Sequence, residues 1–196
     1  MKKRSTTAIL LASVMMFGLM GCGNTSAETT ETTETAEVED DGERGDTNLK
    51  PADASFEYNG KTMSFTDDAQ TLIAALDSIA TKSGEGDVDG IDGGKYYEYD
   101  KNSDNPNLTV IVMKVDGKDT VGYLSVENEG FKTSNGIGIG STMEEVEAAY
   151  GNPSESTQAS KKEKSDRYIY NDYDIRFDIE NGKVYSITYA HPEYKG

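Results

Sequence analysis

The sequence predicts an α+β fold of two tandem helix-plus-antiparallel-hairpin units, with the helices packed on one face of an antiparallel sheet. Three observations carry this. Two helical segments with similar caps and apolar spacing recur along the chain. Each is followed by a polar stretch and a tyrosine segment. Each tyrosine segment is followed by a hairpin signal.

The second helical segment has the sharper ends. Ser141 followed three residues later by Glu144 fits a capping box, in which hydroxyl and carboxylate each satisfy a free amide. Glu144 and Glu145 put negative charge in the first turn, where the helix dipole favours it. Met143, Val146, Ala149 and Tyr150 share one face. Gly151 supplies the stop and Pro153 cannot continue the helix. Gly136, Gly138 and Gly140 precede it without the G-x-G-x-x-G spacing of a nucleotide loop, and no basic residue follows closely.

Asp67 to Asp77 aligns with Ser141 to Gly151, Asp67 and Gln70 standing where Ser141 and Glu144 stand. Leu72, Leu76 and Ile79 repeat the apolar face. The tyrosine segments are Lys95-Tyr-Tyr-Glu-Tyr99 and Arg167-Tyr-Ile-Tyr170. Residues 108–115 and 120–126 flank Asp116-Gly117, and residues 173–179 and 184–189 flank Asn181-Gly182. Both dipeptides accept the positive φ of a two-residue hairpin turn. A further hairpin, around Asn59-Gly60, opens the folded region. Ile175, Phe177 and Ile179 alternate with Asp174, Arg176, Asp178 and Glu180, which predicts one core face and one wet face. The first copy spans 55–133 and the second 134–194, within a domain of 51–196.

Ahead of that domain, Met1-Lys-Lys-Arg4 and an uncharged, mostly apolar run from Ala8 to Met20 form a secretory signal peptide over 1–21, too short to span a bilayer comfortably. Leu19-Met20-Gly21-Cys22 resembles a bacterial lipobox, which implies cleavage before Cys22 and a lipid on its sulfur. Cys22 is the only cysteine, so no disulfide forms within the chain. Residues 22–50 are a Thr/Glu-rich acidic tether, with too little apolar surface to repay ordering. Its 26 residues from Gly23 to Asn48 reach at most ~90 Å. Cleavage removes Lys2, Lys3 and Arg4 and no acid, so the net charge of −17 becomes about −20. That balance excludes nucleic acid as a partner, since phosphate binding needs a basic footprint. Contact with the membrane is expected through the lipid on Cys22 alone.

The residues Ile139-Gly-Ser-Thr-Met-Glu-Glu-Val146 through Pro153, with Asn181-Gly-Lys183-Val, resemble the small outer-membrane-assembly lipoprotein family (SmpA/OmlA, BamE-like), whose fold is shared by β-lactamase inhibitory protein. The chain also resembles lipoproteins of anaerobic Gram-positive bacteria that carry a repeated unit of this kind. The resemblance implies protein binding rather than chemistry and transfers no partner; an envelope protein is the expected one.

Chemical constellations are sparse. Glu85-Gly-Asp87-Val-Asp89-Gly90 starts like a calcium loop, but Tyr96 stands where the bidentate Glu belongs, so an acidic turn is expected. His191 is the only histidine, which leaves no zinc set and no catalytic dyad. Asp172, Asp174 and Asp178 are read as one solvated strand face rather than a glycosidase pair. No metal and no cofactor is expected. The tyrosines carry more. Tyr96, Tyr97, Tyr99, Tyr168, Tyr170 and Tyr173 fall at equivalent points of the two copies. Tyrosines at strand positions pack in the core or across strands, and those that cannot turn inward offer a binding surface. The six form the candidate surface. The expected function is a lipid-anchored, extracytoplasmic, non-enzymatic protein-binding module. The alternatives are a solute- or cation-binding lipoprotein and a cell-wall hydrolase. Replacing the lipidated sulfur tests the anchor: Cys22→Ser is expected to move the protein from the membrane fraction to the supernatant, and an unchanged fractionation refutes lipidation.

Overall fold

The computed structural model describes residues 49–101, 106–127 and 129–195. The signal peptide, Cys22 and all but the last two residues of the tether lie outside the described residues. No described helix is long and apolar enough to cross a membrane.

Three two-residue turns organise the strands. Asn59-Gly60, Asp116-Gly117 and Asn181-Gly182 all have positive φ at both positions, the conformation that matches the strand twist. They join β1 (Ser55–Tyr58) to β2 (Lys61–Ser64), β5 (Leu108–Val115) to β6 (Lys118–Val126), and β10 (Asp174–Glu180) to β11 (Lys183–Ala190). The remaining strands are β3 (Lys82–Asp87), β4 (Lys95–Tyr99), β7 (Phe131–Thr133), β8 (Glu155–Gln158) and β9 (Glu163–Ile169). Two short helices, α1 (Ala69–Asp77) and α2 (Met143–Tyr150), complete the described elements.

Eight strands form one antiparallel sheet in the order β3-β4-β5-β6-β11-β10-β9-β8, and β2-β1-β7 form a second, three-stranded sheet. This corrects the predicted fold class. The molecule is mostly antiparallel β-sheet, not two helix-plus-hairpin units with helices packed on a sheet. Each helix is followed by four strands of the large sheet, because the polar stretches read as turns contain β3 and β8. Neither has an apolar period, since each is an edge strand paired on one side only. Lys82, Glu85 and Asp87 on one edge and Glu155 on the other keep both edges hydrophilic, which discourages pairing with another chain. Glycines on β3 have a specific use. A Cβ at Gly86 would lie 2.7 Å from the Tyr96 ring, and one at Gly84 would lie 2.5 Å from Glu98 Oε2, so the β4 side chains lie across the bare edge backbone.

The helix starts fall one residue later than predicted, whereas Gly151 ends α2 as expected. Thr142, not Ser141, caps α2, and its capping-box partner is Glu145. Ser141 Oγ instead accepts from Gly138 N at 3.2 Å, closing the preceding turn. Asp68, not Asp67, caps α1 by accepting from Gln70 N and Thr71 N. Asp67 is taken by the amide of Ser64. Adjacent polar residues compete for one cap, and the turn that enters each helix decides between them.

The core lies on the inner face of the large sheet. Leu108, Val110, Leu124, Phe177, Ile179, Ile187 and Tyr189 are buried there. The three-stranded sheet helps to cover this face. Phe56 and Phe131 stack with centroids 4.9 Å apart, and both lie within 6.2 Å of the Tyr189 ring, as does Phe65 of the segment after β2. Leu72 and Leu76 of α1 and Val146 and Tyr150 of α2 join the same core. Asp166 is fully buried on β9, with Lys164 Nζ 2.8 Å from its Oδ2, though the pair is not aligned as a hydrogen bond.

Tyr189 is 0% exposed and its hydroxyl has no hydrogen-bond partner. An unsatisfied buried hydroxyl costs roughly 1–3 kcal/mol. Tyr189→Phe keeps the ring packing and is expected to raise stability by about 1 kcal/mol. Chemical denaturation checks this, and a loss of stability would show that the hydroxyl is satisfied after all.

Candidate functional site

The sequence-predicted tyrosines do not gather into one surface. Tyr96, Tyr97 and Tyr99 lie on β4 and Tyr168 on β9, with four strands between them. That separation is roughly 24 Å at ~4.8 Å per strand. Tyr99, Tyr168 and Tyr173 are buried in the core, whereas Tyr96, Tyr97 and Tyr170 are half-buried. Tyr99 donates to Asp77 Oδ1 at 2.9 Å, tying β4 to the end of α1. Tyr170 donates to the carbonyl of Lys50 at 3.1 Å and stacks on Tyr173. Three of the six are therefore core residues: strand alternation turns Tyr99 and Tyr168 to the inner face, and Tyr173, just before β10, stacks on Tyr189.

The concave feature lies on the opposite face, near the middle of the large sheet. It is a pocket of about 430 Å³ lined by Tyr123, Arg167, Asp174, Arg176, Thr188, Ala190 and Tyr194. Its residues come together through strand register. Tyr123 on β6 faces Ala190 on β11, and Ala190 faces Asp174 on β10. Thr188 faces Arg176, which in turn faces Arg167 on β9. Tyr194 arrives from the chain after β11. The His191 amide donates to the Gly122 carbonyl at 2.9 Å, and Tyr194 N donates to the carbonyl of His191. His191 Nδ1 accepts from the Glu193 amide. This turn lays the Tyr194 ring against Tyr123, centroids 5.1 Å apart. Gly122 makes room for it, since a Cβ there would sit 3.3 Å from the ring and 2.9 Å from Met113 Sδ.

Arg167 and Arg176 are the only arginines beyond residue 44, and they are direct cross-strand neighbours. Like charges so placed are destabilising unless carboxylates intervene. Here they do. Arg167 Nε and Nη2 both donate to Asp174 Oδ2, and Nη1 donates to Glu155 at 2.9 Å. Bonding to Asp174 raises the Arg167 pKa above its ordinary value, against the opposing effect of burial. Asp174 is only 3% exposed. This corrects the reading of Asp172, Asp174 and Asp178 as one solvated face: Asp174 is covered by its guanidinium partner. Arg176 is held more loosely. Its Nε lies 3.3 Å from Asp178 Oδ2, and its guanidinium donates no hydrogen bond among the described residues. Thr188, a lining residue, is 4% exposed, and its buried hydroxyl has no partner.

The pocket offers a cationic edge, a hydroxyl and two aromatic rings. That combination supports recognition of a ligand. Among the described residues no group of three or more His, Cys, Asp or Glu could hold a metal ion. In the stretch read as an acidic turn, Glu85 and Asp87 lie on β3, and Glu85 is paired with Lys82 at 3.1 Å. The single histidine of the chain serves the C-terminal turn. No family model, no curated protein and no solved structure matches this chain.

Sequence reasoning missed this pocket. Its one visible signal was that two isolated arginines stand in an acidic chain. Their adjacency depends on the β9–β10 register, and Tyr194 depends on the C-terminal turn.

The buried tyrosines set the response to base. Burial raises the pKa of Tyr99, Tyr150, Tyr168, Tyr173 and Tyr189 well above 10 and pushes Tyr170 up to about 12. These groups ionise near pH 10 in the unfolded chain but only at higher pH when folded. Their contribution to stability is therefore complete below pH 10 and is lost as pH rises above it. Each contributes a slope of up to about 1.4 kcal/mol per pH unit. Cooperative alkaline unfolding is expected between about pH 10 and 12, with phenolate absorbance and loss of circular dichroism coinciding. Phenolate appearing on a protein that stays folded would contradict it.

Proposed function

We propose that this chain is a lipid-anchored, extracytoplasmic, non-enzymatic binding lipoprotein, and that it holds a small solute in the pocket on the outer sheet face. The observation that carries the reading is the pocket itself. Seven side chains from four strands and the C-terminal turn converge on about 430 Å³, within the usual volume range of small-molecule sites. The polar groups there are suited to holding a ligand. A carboxylate bound by an arginine and a threonine hydroxyl without a base do not make an activated nucleophile.

The anchor reading rests on Cys22 directly after the apolar run, and the tether on the Thr/Glu-rich segment behind it. Together they would hold the domain outside the membrane and within reach of envelope solutes or proteins. The BamE-like resemblance points to a protein as the occupant, whereas the concavity of the pocket favours a solute.

Two measurements on protein taken from its producing cells separate these occupants. Native mass spectrometry is expected to show a small co-purifying species that Arg176→Gln abolishes. A photoreactive residue replacing Tyr194 is expected to capture no protein in intact cells. Capture of one dominant protein at that position, with no small species, would overturn the solute reading.

A further inference from the structure

We infer that the ligand of this pocket is an acidic sugar, a pyranose ring bearing one carboxylate, bound with its carboxylate on Arg176 and its ring against Tyr123 and Tyr194. The inference rests on the solute-binding reading above and assigns the ligand class.

The charge follows from which guanidinium is open. Arg167 spends three nitrogens on Asp174 and Glu155. Arg176 meets Asp178 at 3.3 Å, donates no hydrogen bond among the described residues and has a side chain 45% exposed, so its guanidinium keeps donors for a ligand carboxylate, the geometry that arginine matches best. Asp174 and Asp178 flank that guanidinium and disfavour a doubly charged phosphate by like-charge repulsion. One negative charge is tolerated where two are not.

The body of the ligand follows from the rest of the lining. Tyr123 and Tyr194 are both partly exposed and stack on each other. They form an aromatic wall against which the C–H face of a sugar ring can lie. Thr188 is a lining residue, nine-tenths buried, and its buried hydroxyl has no partner. A buried hydroxyl is normally satisfied, and a sugar hydroxyl supplies a donor and an acceptor in one group. An acyl chain would leave Thr188 and Asp174 facing hydrocarbon. The net charge of −17 repels acids at long range, so recognition depends on the short-range arginine contact and strengthens with moderate salt.

The test uses the full chain with Cys22→Ser, titrated calorimetrically with galacturonate, with galactose as its neutral counterpart, and with tetragalacturonate. Galacturonate is expected to bind, and galactose to bind at least tenfold more weakly. Arg176→Gln should cost about tenfold or more and Thr188→Val about threefold to tenfold. Thr188→Val removes only a hydroxyl without a partner, so its melting temperature should not fall, and a loss of binding then reports on the site. Tighter binding of tetragalacturonate would identify the source as a polysaccharide, and equal binding a free acid. Equal binding of galactose and galacturonate, or indifference to Arg176→Gln, would overturn acid recognition while leaving the solute reading intact. No binding of any of the three would overturn the ligand class. If native mass spectrometry also found no bound species, the solute reading would fail with it.

Discussion

The fold depends on the packing of one ring. Tyr189 is buried where the large sheet meets the three-stranded sheet, with Phe56, Phe65, Phe131 and Tyr173 around it at 5.6–6.2 Å. Edge and offset contacts among aromatic rings each add about 0.5–1.5 kcal/mol beyond the area they bury. No disulfide can supply stability, because the chain has a single cysteine. The large sheet needs cover on its apolar face, and two helices of nine and eight residues are too short to provide it alone. The aromatic side chains of the small sheet share that cover.

The same strand carries the outer pocket. On β11, Ile187 and Tyr189 point into the core while Thr188 and Ala190 line the cavity. Alternation makes this unavoidable: a strand pinned by a buried ring at one position presents its neighbours on the opposite face. β10 behaves likewise, with Ile175 and Phe177 inside and Asp174 and Arg176 outside. The pocket is therefore built on rigid central strands, which hold side chains more precisely than loops do. The paired arginines are a cost the scaffold bears. They are held in place by Asp174, Glu155 and Asp178, and the incomplete neutralisation of Arg176 leaves one cationic edge in an acidic molecule.

The strongest local signals in the chain correspond to real elements. Asn-Gly and Asp-Gly turns mark three hairpins, because positive φ at two successive residues is a demand that few dipeptides meet. The alternation of Ile175, Phe177 and Ile179 marks a core face. Helix caps were legible to within one residue, since Asp67 beside Asp68 and Ser141 beside Thr142 offer equal chemistry. β3 and β8 were not legible. A polar edge strand with glycines looks like a loop until its partner is known, and the partner is what makes it a strand. For the same reason the fold class came out too helical.

The candidate site divides along the same line. Residue types alone determined the acidic balance, the hairpin turns, the absence of a histidine or cysteine constellation, and the recurrence of tyrosines, since all of these are local or compositional. They could not say which tyrosines would be core. Tyr99 and Tyr168 are inward by register, whereas Tyr123 and Tyr194, which attracted no attention in the chain, meet over Gly122. Nor could they bring Arg167 to Arg176 or Thr188 to the pocket lining. Those juxtapositions come from pairing among β6, β11, β10 and β9. A shift of one residue in any of those registers would send the same side chains to the other face of the sheet.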